Sequence, residues 1–303
     1  MKDKLIVNII HRPELSPEYA EKALGKGEGV RDESLDIFRF QQDCAHKYGL
    51  KTTIQITYAS LFSDVIIDLA KKEHEQYGDE IGLSLLGLPC PEFREKYHTE
   101  DFCIWMFDEA RKAEIVDDVF GKFYEKFGFY PASTSSYFLD AFTINYIKEH
   151  YPTVKCAVAT CWEEGPKAYH TCNNSWYTFM DGGPWNPWIP SKVNSHCPAK
   201  DADDDSGIVA IPHLSRDLMA CYDGNGSNFG THPQNVLRGM IYYSLVSKYR
   251  NVQILRQATN EPIANSPESE GWAFVEENLS NAIEMCPNFT NKNYVSVQAA
   301  KAL

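Results

Sequence analysis

LIVNIIHRPE, residues 5 to 14, starts apolar and ends in an imidazole, a guanidinium and a carboxylate. The same profile returns in CAVATCWEE (156–164), GIVAIPHLSRD (207–217) and VQILRQATNE (252–261). A buried strand with a polar exit is the signature of a parallel sheet, because parallel strands bring their carboxyl ends to one rim. Barrels and open α/β sheets assemble their active sites on that rim. The fold class expected is therefore α/β, a distorted, TIM-barrel-like barrel of seven or eight β/α units.

Between these strands the apolar spacing switches to a helical period. SLDIFRFQQDCAHKYG (34–49) carries Leu35, Phe38, Cys44 and Tyr48 on one face and stops at Gly49. KTTIQIT (51–57) reads as the second strand, SDVIIDLAKKEHEQYG (63–78) as a helix capped by Ser63, and EIGLSLLGL (80–88) as the third strand. Beyond an acidic and aromatic stretch, AEIVDDVFGKFYEKFG predicts a helix, YPASTSSYF a short irregular strand or loop, and LDAFTINYIKEHYP a helix closed by Pro152. PQNVLRGMIYYSLVSKYR and SPESEGWAFVEENLSNAIEMCP predict two further helices, and YVSVQ (294–298) a last short strand. Residues 163–206 show no sustained period but are dense in Trp, Tyr, Gly and Pro, as in an ordered functional loop. They are expected to form an aromatic-rich insertion capping the C-terminal rim of one domain that spans residues 1–303.

Composition bounds the partners. At 303 residues, with 43% hydrophobic and 23% charged residues, the chain has the makings of one large core. A net charge of −13 opposes association with nucleic acid or an anionic membrane, so a neutral ligand fits better. The amino-terminal apolar run is too short for a signal or membrane segment, which predicts a soluble, cytoplasmic protein. Nine scattered cysteines in so long a chain argue for thiols rather than a disulfide framework.

GFYPASTSSYFLDAFTINYIKEHYPTVKCAVATCWEEG and the strand-ending GIVAIPHLSRD, with the order of units, resemble the glycoside hydrolase/deacetylase superfamily, best known for its NodB-type polysaccharide deacetylases. The resemblance implies a distorted barrel and a saccharide ligand. That branch carries an Asp-Asp pair after its first strand and His-x-x-x-His after its third, which together bind a divalent metal. Here the first position reads His11-Arg12-Pro13-Glu14, and Gly82 to Pro89 contains no histidine. No cofactor is expected on that ground, and metal-dependent deacetylation would require a site rebuilt from His11, Glu14, His213 or His232.

Chemistry is then sought in carboxylates. Glu163 and Glu164 follow one strand, Glu261 follows another, and Asp217 ends HLSRD. Such a pair cleaves glycosidic bonds, one group protonated as acid and the other acting as base or nucleophile. The alternative is that they are rim carboxylates in ordinary ion pairs. His213 would support them near neutral pH, while His11 and His232 would bind substrate or serve as hydrogen-bonded structural histidines. Arg12 and Arg216 offer a bidentate grip, or rim ion pairs, and Asn260 a further polar contact. Trp162, Trp185 and Trp188 present flat faces suited to sugar rings, or else pack among themselves to order the loop. Cys156 and Cys161 are five apart in a strand and face opposite ways, which disfavours zinc, and a Cys-His nucleophile at Cys172 or Cys197 lacks a rigid base. The expected function is a carbohydrate-active hydrolase working on a glycosidic bond. A catalytically silent saccharide-binding barrel and a deacetylase with a rebuilt metal site are the alternatives.

Overall fold

A computed structural model describes residues 4–13, 35–85, 90–99, 104–161, 187–211, 250–259 and 293–301. Seven strands form one sheet: β1 (Lys4–Pro13), β2 (Thr52–Ile56), β3 (Glu80–Ser84), β4 (Ser133–Leu139), β5 (Cys156–Cys161), β6 (Val209–Ile211) and β7 (Arg250–Thr259). Their order is β6-β5-β4-β3-β2-β1-β7, and every described pairing is parallel. Six helices accompany them among the described residues: α1 (Asp36–Lys47), α2 (Asp64–Tyr77), α3 (Pro91–Tyr97), α4 (Glu109–Phe127), α5 (Ala141–His150) and α6 (Ser296–Lys301).

The sheet is curled. Laid flat, β1 and β5 would stand about 19 Å apart, four strand spacings. Yet Ile10 of β1 shares a buried cluster with Cys156 and Val158 of β5, Ile211 of β6, and Ala299 and Ala300 of α6. The inner face is therefore a lumen with α6 inside it. On the outer face Ile54, Ile56, Ile81, Leu83 and Leu85 pack against Phe93, Phe120, Phe123, Ile144 and Ile147 of the helices. That layer is the main core. On the side of β6 away from β5, Ala210 exchanges both backbone hydrogen bonds with Trp188, an antiparallel bridge. The parallel α/β barrel-like architecture is as expected; no pairing of β6 with β7 occurs among the described residues.

Local chemistry explains the helix limits. Ser63 caps α2 by accepting from the Ile66 amide, as its spacing predicts, and Asp108 and Asp140 cap α4 and α5 in the same way. Gly78 and Gly128 end α2 and α4 in the left-handed conformation. YPASTSSYF, expected as a short irregular strand or loop, forms the seven-residue β4 with a register shift between Ser135 and Phe138. Two elements differ from the sequence expectation. The acidic, aromatic stretch contains the helix α3. The expected last strand, 294–298, instead enters α6, whose first amides are taken by side chains: Ser296 N–H donates to Thr53 Oγ1 at 2.8 Å and Val297 N–H to Glu80 Oε2 at 2.8 Å. Those acceptors outweigh the strand preference of Val295 and Val297.

Candidate functional site

Parallel strands carry their carboxyl ends to one rim, here Pro13, Ile56, Ser84, Leu139, Cys161, Ile211 and Thr259. The rim is stitched at β1 and β2: Thr57 Oγ1 meets Ser60 Oγ at 2.8 Å, and Ser60 donates to the Pro13 carbonyl at 2.6 Å. That bond fixes the point where β1 hands over to Glu14.

Below the rim, the inner face is polar over β2 to β4, beside the apolar cluster that Ile10, Val158 and Ile211 form on β1, β5 and β6. Asn8, Thr53, Gln55, Glu80, Ser133 and Ser135 are all buried. Gln55 of β2 reaches across β3 to donate to Ser133 Oγ of β4 at 3.1 Å. It can do so because Gly82 lies between; a Cβ there would stand 2.6 Å from both Gln55 Nε2 and Ser133 Oγ. Gln55 Oε1 and Ser135 Oγ have no hydrogen-bond partner. A buried carbonyl and hydroxyl of this kind call for a water or a ligand hydroxyl.

The amino-terminal end of the lumen is closed by α6. Asn8 Nδ2 donates to Ser296 Oγ at 3.0 Å, and Glu80 receives the Val297 amide. Burial pushes the Glu80 carboxyl above the ordinary carboxylate range, while the Ser133 hydroxyl, the Val297 amide and Lys301 pull the other way. Burial, with Glu80 nearby, likewise raises the Cys156 thiol, which is free and inert to nucleophilic chemistry in that state.

Of the catalytic and substrate-binding residues expected from sequence, three fall among those described. His11 turns to the helix layer: its Nδ1 meets Gln42 Oε1 of α1 at 2.5 Å and its ring stands edge-on to Phe38. It contacts α1, on the opposite side of the sheet from the lumen. Arg12 follows in β1, in register with Ala258. Trp188 is 7% exposed within the outer core, its indole N–H donating to the Ser195 carbonyl at 3.2 Å, so its faces are spent on packing and not on a ligand. Trp162, Glu163, Glu164, Trp185, His213, Arg216, Asp217, His232, Asn260 and Glu261 lie outside the described residues, as do Glu14 and Cys172. The described part of the expected capping loop, 187–206, holds to α5 and the end of β4: Asn145 Nδ2 donates to the Lys192 carbonyl and Ser195 Oγ to the Leu139 carbonyl.

The polar lumen had a signal in the sequence. Strands buried on both faces read as continuous apolar runs, whereas TTIQIT alternates Thr53, Gln55 and Thr57 with Ile54 and Ile56. That alternation marks a sheet with one apolar and one polar face.

The sequence lacks the deacetylase metal motif, with no histidine from Gly82 to Pro89, and His11 is committed to α1. Glu14, His213 and His232 of a rebuilt site lie outside the described residues. One histidine and two carboxylates that could hold an ion, His46, Glu73 and Asp79, meet instead beside the amino-terminal ends of β2 and β3. This end is opposite the rim.

Residues 50–284 match the model of a family described as a domain of unknown function with solved-structure structure, DUF3863. The chain belongs to that family. Among solved structures, a protein from Parabacteroides distasonis with the provisional description glycoside hydrolase/deacetylase superposes at TM-score 0.59 and 13% identity. The match covers 96% of this chain and 70% of that one. The allantoinase Puue superposes at TM-score 0.50 and 10% identity, over 98% and 89% of the two chains. A protein from Pseudomonas aeruginosa PAO1, provisionally a polysaccharide deacetylase, reaches 0.49 at 12% identity over 98% and 90%. No curated protein matches the chain. At 13% and 10% identity, the likeness to the first two structures establishes a shared fold and no more.

Proposed function

We propose that this DUF3863 protein is a carbohydrate-active hydrolase that cleaves a glycosidic bond with a pair of rim carboxylates. The observation that carries this reading is the parallel sheet. The residues that follow β5, β6 and β7 in the chain are Trp162-Glu163-Glu164, His213 to Asp217, and Asn260-Glu261. β5 and β6 are neighbours, and the curl turns them toward β1, the partner of β7. Beneath, the part of the lumen over β2 to β4 presents the hydroxyls and amide of Thr53, Gln55, Ser133 and Ser135, chemistry that pairs with sugar hydroxyls.

In this reading one of Glu163 and Glu164 acts with Glu261 or Asp217 across the mouth. The group in the drier surroundings keeps its proton and delivers it to the leaving oxygen; the other attacks the anomeric carbon or deprotonates water. His213 tunes their protonation, Arg12, Arg216, His232 and Asn260 hold substrate hydroxyls, and Trp162 and Trp185 stack on the ring. The P. distasonis protein's description pairs glycoside hydrolysis with deacetylation. The absence of the deacetylase metal motifs favours the first.

Aryl glycosides and acetylated oligosaccharides, assayed side by side for aryl alcohol and acetate, test this. Turnover of a glycoside that falls by about 10²-fold or more in E163Q, E164Q or E261Q is expected for a lost acid, base or nucleophile. Acetate release without glycoside cleavage, or glycosidase rates untouched by all three substitutions, overturns it.

A further inference from the structure

We propose that His46, Glu73 and Asp79 form a divalent transition-metal site, of zinc-like preference, on the outer layer at the end of the sheet opposite the rim. It joins the last turn of α1, the α2 helix and the start of β3. The donor atoms of the three residues lie within 4.8 Å of one another. The side chains of His46, Glu73 and Asp79 are 5%, 9% and 0% exposed.

The protons of the surrounding network decide what the site can bind. Gln42 Oε1 receives both the Thr52 hydroxyl at 3.0 Å and His11 Nδ1 at 2.5 Å, so the Gln42 amide nitrogen must point away, and it donates to Asp79 Oδ2 at 2.9 Å. Asp79 Oδ1 is taken by the Thr52 amide at 2.8 Å. Asp79 is thereby held as an acceptor, and His46 Nε2, 2.9 Å from Oδ2, supplies a proton to it. With Nε2 engaged by Asp79, the ring's other nitrogen, Nδ1, faces Glu73 Oε2, 3.3 Å away.

Neither His46 Nδ1 nor Glu73 Oε2 has a hydrogen-bond partner. Something positive belongs between them. A separation of 3.3 Å is close to the roughly 3.4 Å that separates two donors held about 2.1 Å from a tetrahedral ion. Asp79 behind the imidazole supplies the carboxylate–histidine–metal relay that fixes tautomer and ring orientation. Tyr77, stacked on His46 at 3.6 Å between centroids and 13° between planes, holds the ring from its face. Distance from the rim makes this a structural ion, tying two helices to the sheet.

Full-length protein, stripped with chelator and dialysed against zinc or cobalt at pH 7.5, should retain one equivalent by elemental analysis. Cobalt should give the absorption bands of a low-coordinate site, and zinc should raise the melting temperature. H46Q and E73Q should each lose that equivalent and the thermal shift; D79N should weaken retention by about 10–100-fold, as for a ligand's supporting carboxylate. E73Q, whose side chain keeps its shape, guards against loss through misfolding alone. No equivalent retained by the wild-type protein, or an unchanged equivalent in folded H46Q and E73Q, overturns the proposal and leaves a proton as the bridge.

Discussion

Gly82 sets the clearance of the lumen, and a single methyl group there has nowhere to go. Gln55 Nε2 and Ser133 Oγ occupy the space and bond to each other, so G82A should cost about 1–3 kcal/mol by overpacking, read as a lowered denaturation midpoint. An unchanged midpoint would mean that Gln55 swings aside freely. Glu80 predicts a pH effect. Its carboxyl titrates higher in the fold than in the unfolded chain, so the folded state holds the proton more tightly. That contribution is fully present below the unfolded value and is lost as pH rises through the folded one. E80Q, always neutral, should gain on wild type in melting temperature as pH rises above the ordinary carboxylate range; a gap independent of pH would contradict the assignment. His11 and Trp188 show why residue roles are hard to read in advance. His11 stands in a strand that ends at the rim, yet the two-residue alternation turns it to α1, and Trp188, one of six tryptophans in the sequence, is placed by a bridge to Ala210 that its own sequence does not announce.

At the scale of elements, the helices α4 and α5 are joined by charge buried in the outer layer. Lys112 Nζ donates to Asp140, whose other oxygen caps α5 through the Thr143 amide. K112M strands the Asp140 carboxylate, and a loss of about 3–5 kcal/mol in chemical denaturation is expected for breaking such a pair. A loss under about 1 kcal/mol would place the pair in effective contact with solvent. Asp118 and Asp117 do similar work with phenols: the first accepts from Tyr58 and Tyr97, the second from Tyr146 and Tyr151. Burial first, then the carboxylate, raises all four phenols, Tyr146 to about 12. The β/α alternation from β1 to α5 was legible because period-two and helical spacing separate cleanly there, with Ser63, Gly78 and Pro152 as punctuation. α6 was only half legible: Ala299-Ala300-Lys301 reads as a helix beginning, but the strand-like YVSVQ ahead of it joins the helix because Thr53 and Glu80, some 220 to 240 residues away, take its first amides.

For the whole molecule, the polar strand exits indicated a parallel sheet, and the sheet is parallel throughout its described pairings. The curl and the polar lumen were less legible, since which face of a strand turns inward is set by contacts between strands far apart in sequence. Among the described residues no helix is long and apolar enough to cross a membrane. The central claim is that strand order brings Glu163 or Glu164 and Glu261 to one mouth above that lumen. A crystal structure with a soaked oligosaccharide tests it most directly. The account predicts a sugar ring at the rim with two of these carboxyls flanking its glycosidic oxygen, roughly 5 Å apart for a retaining enzyme or 6.5–9.5 Å for an inverting one. A ring bound elsewhere, or carboxyls directed to separate surfaces, would contradict it.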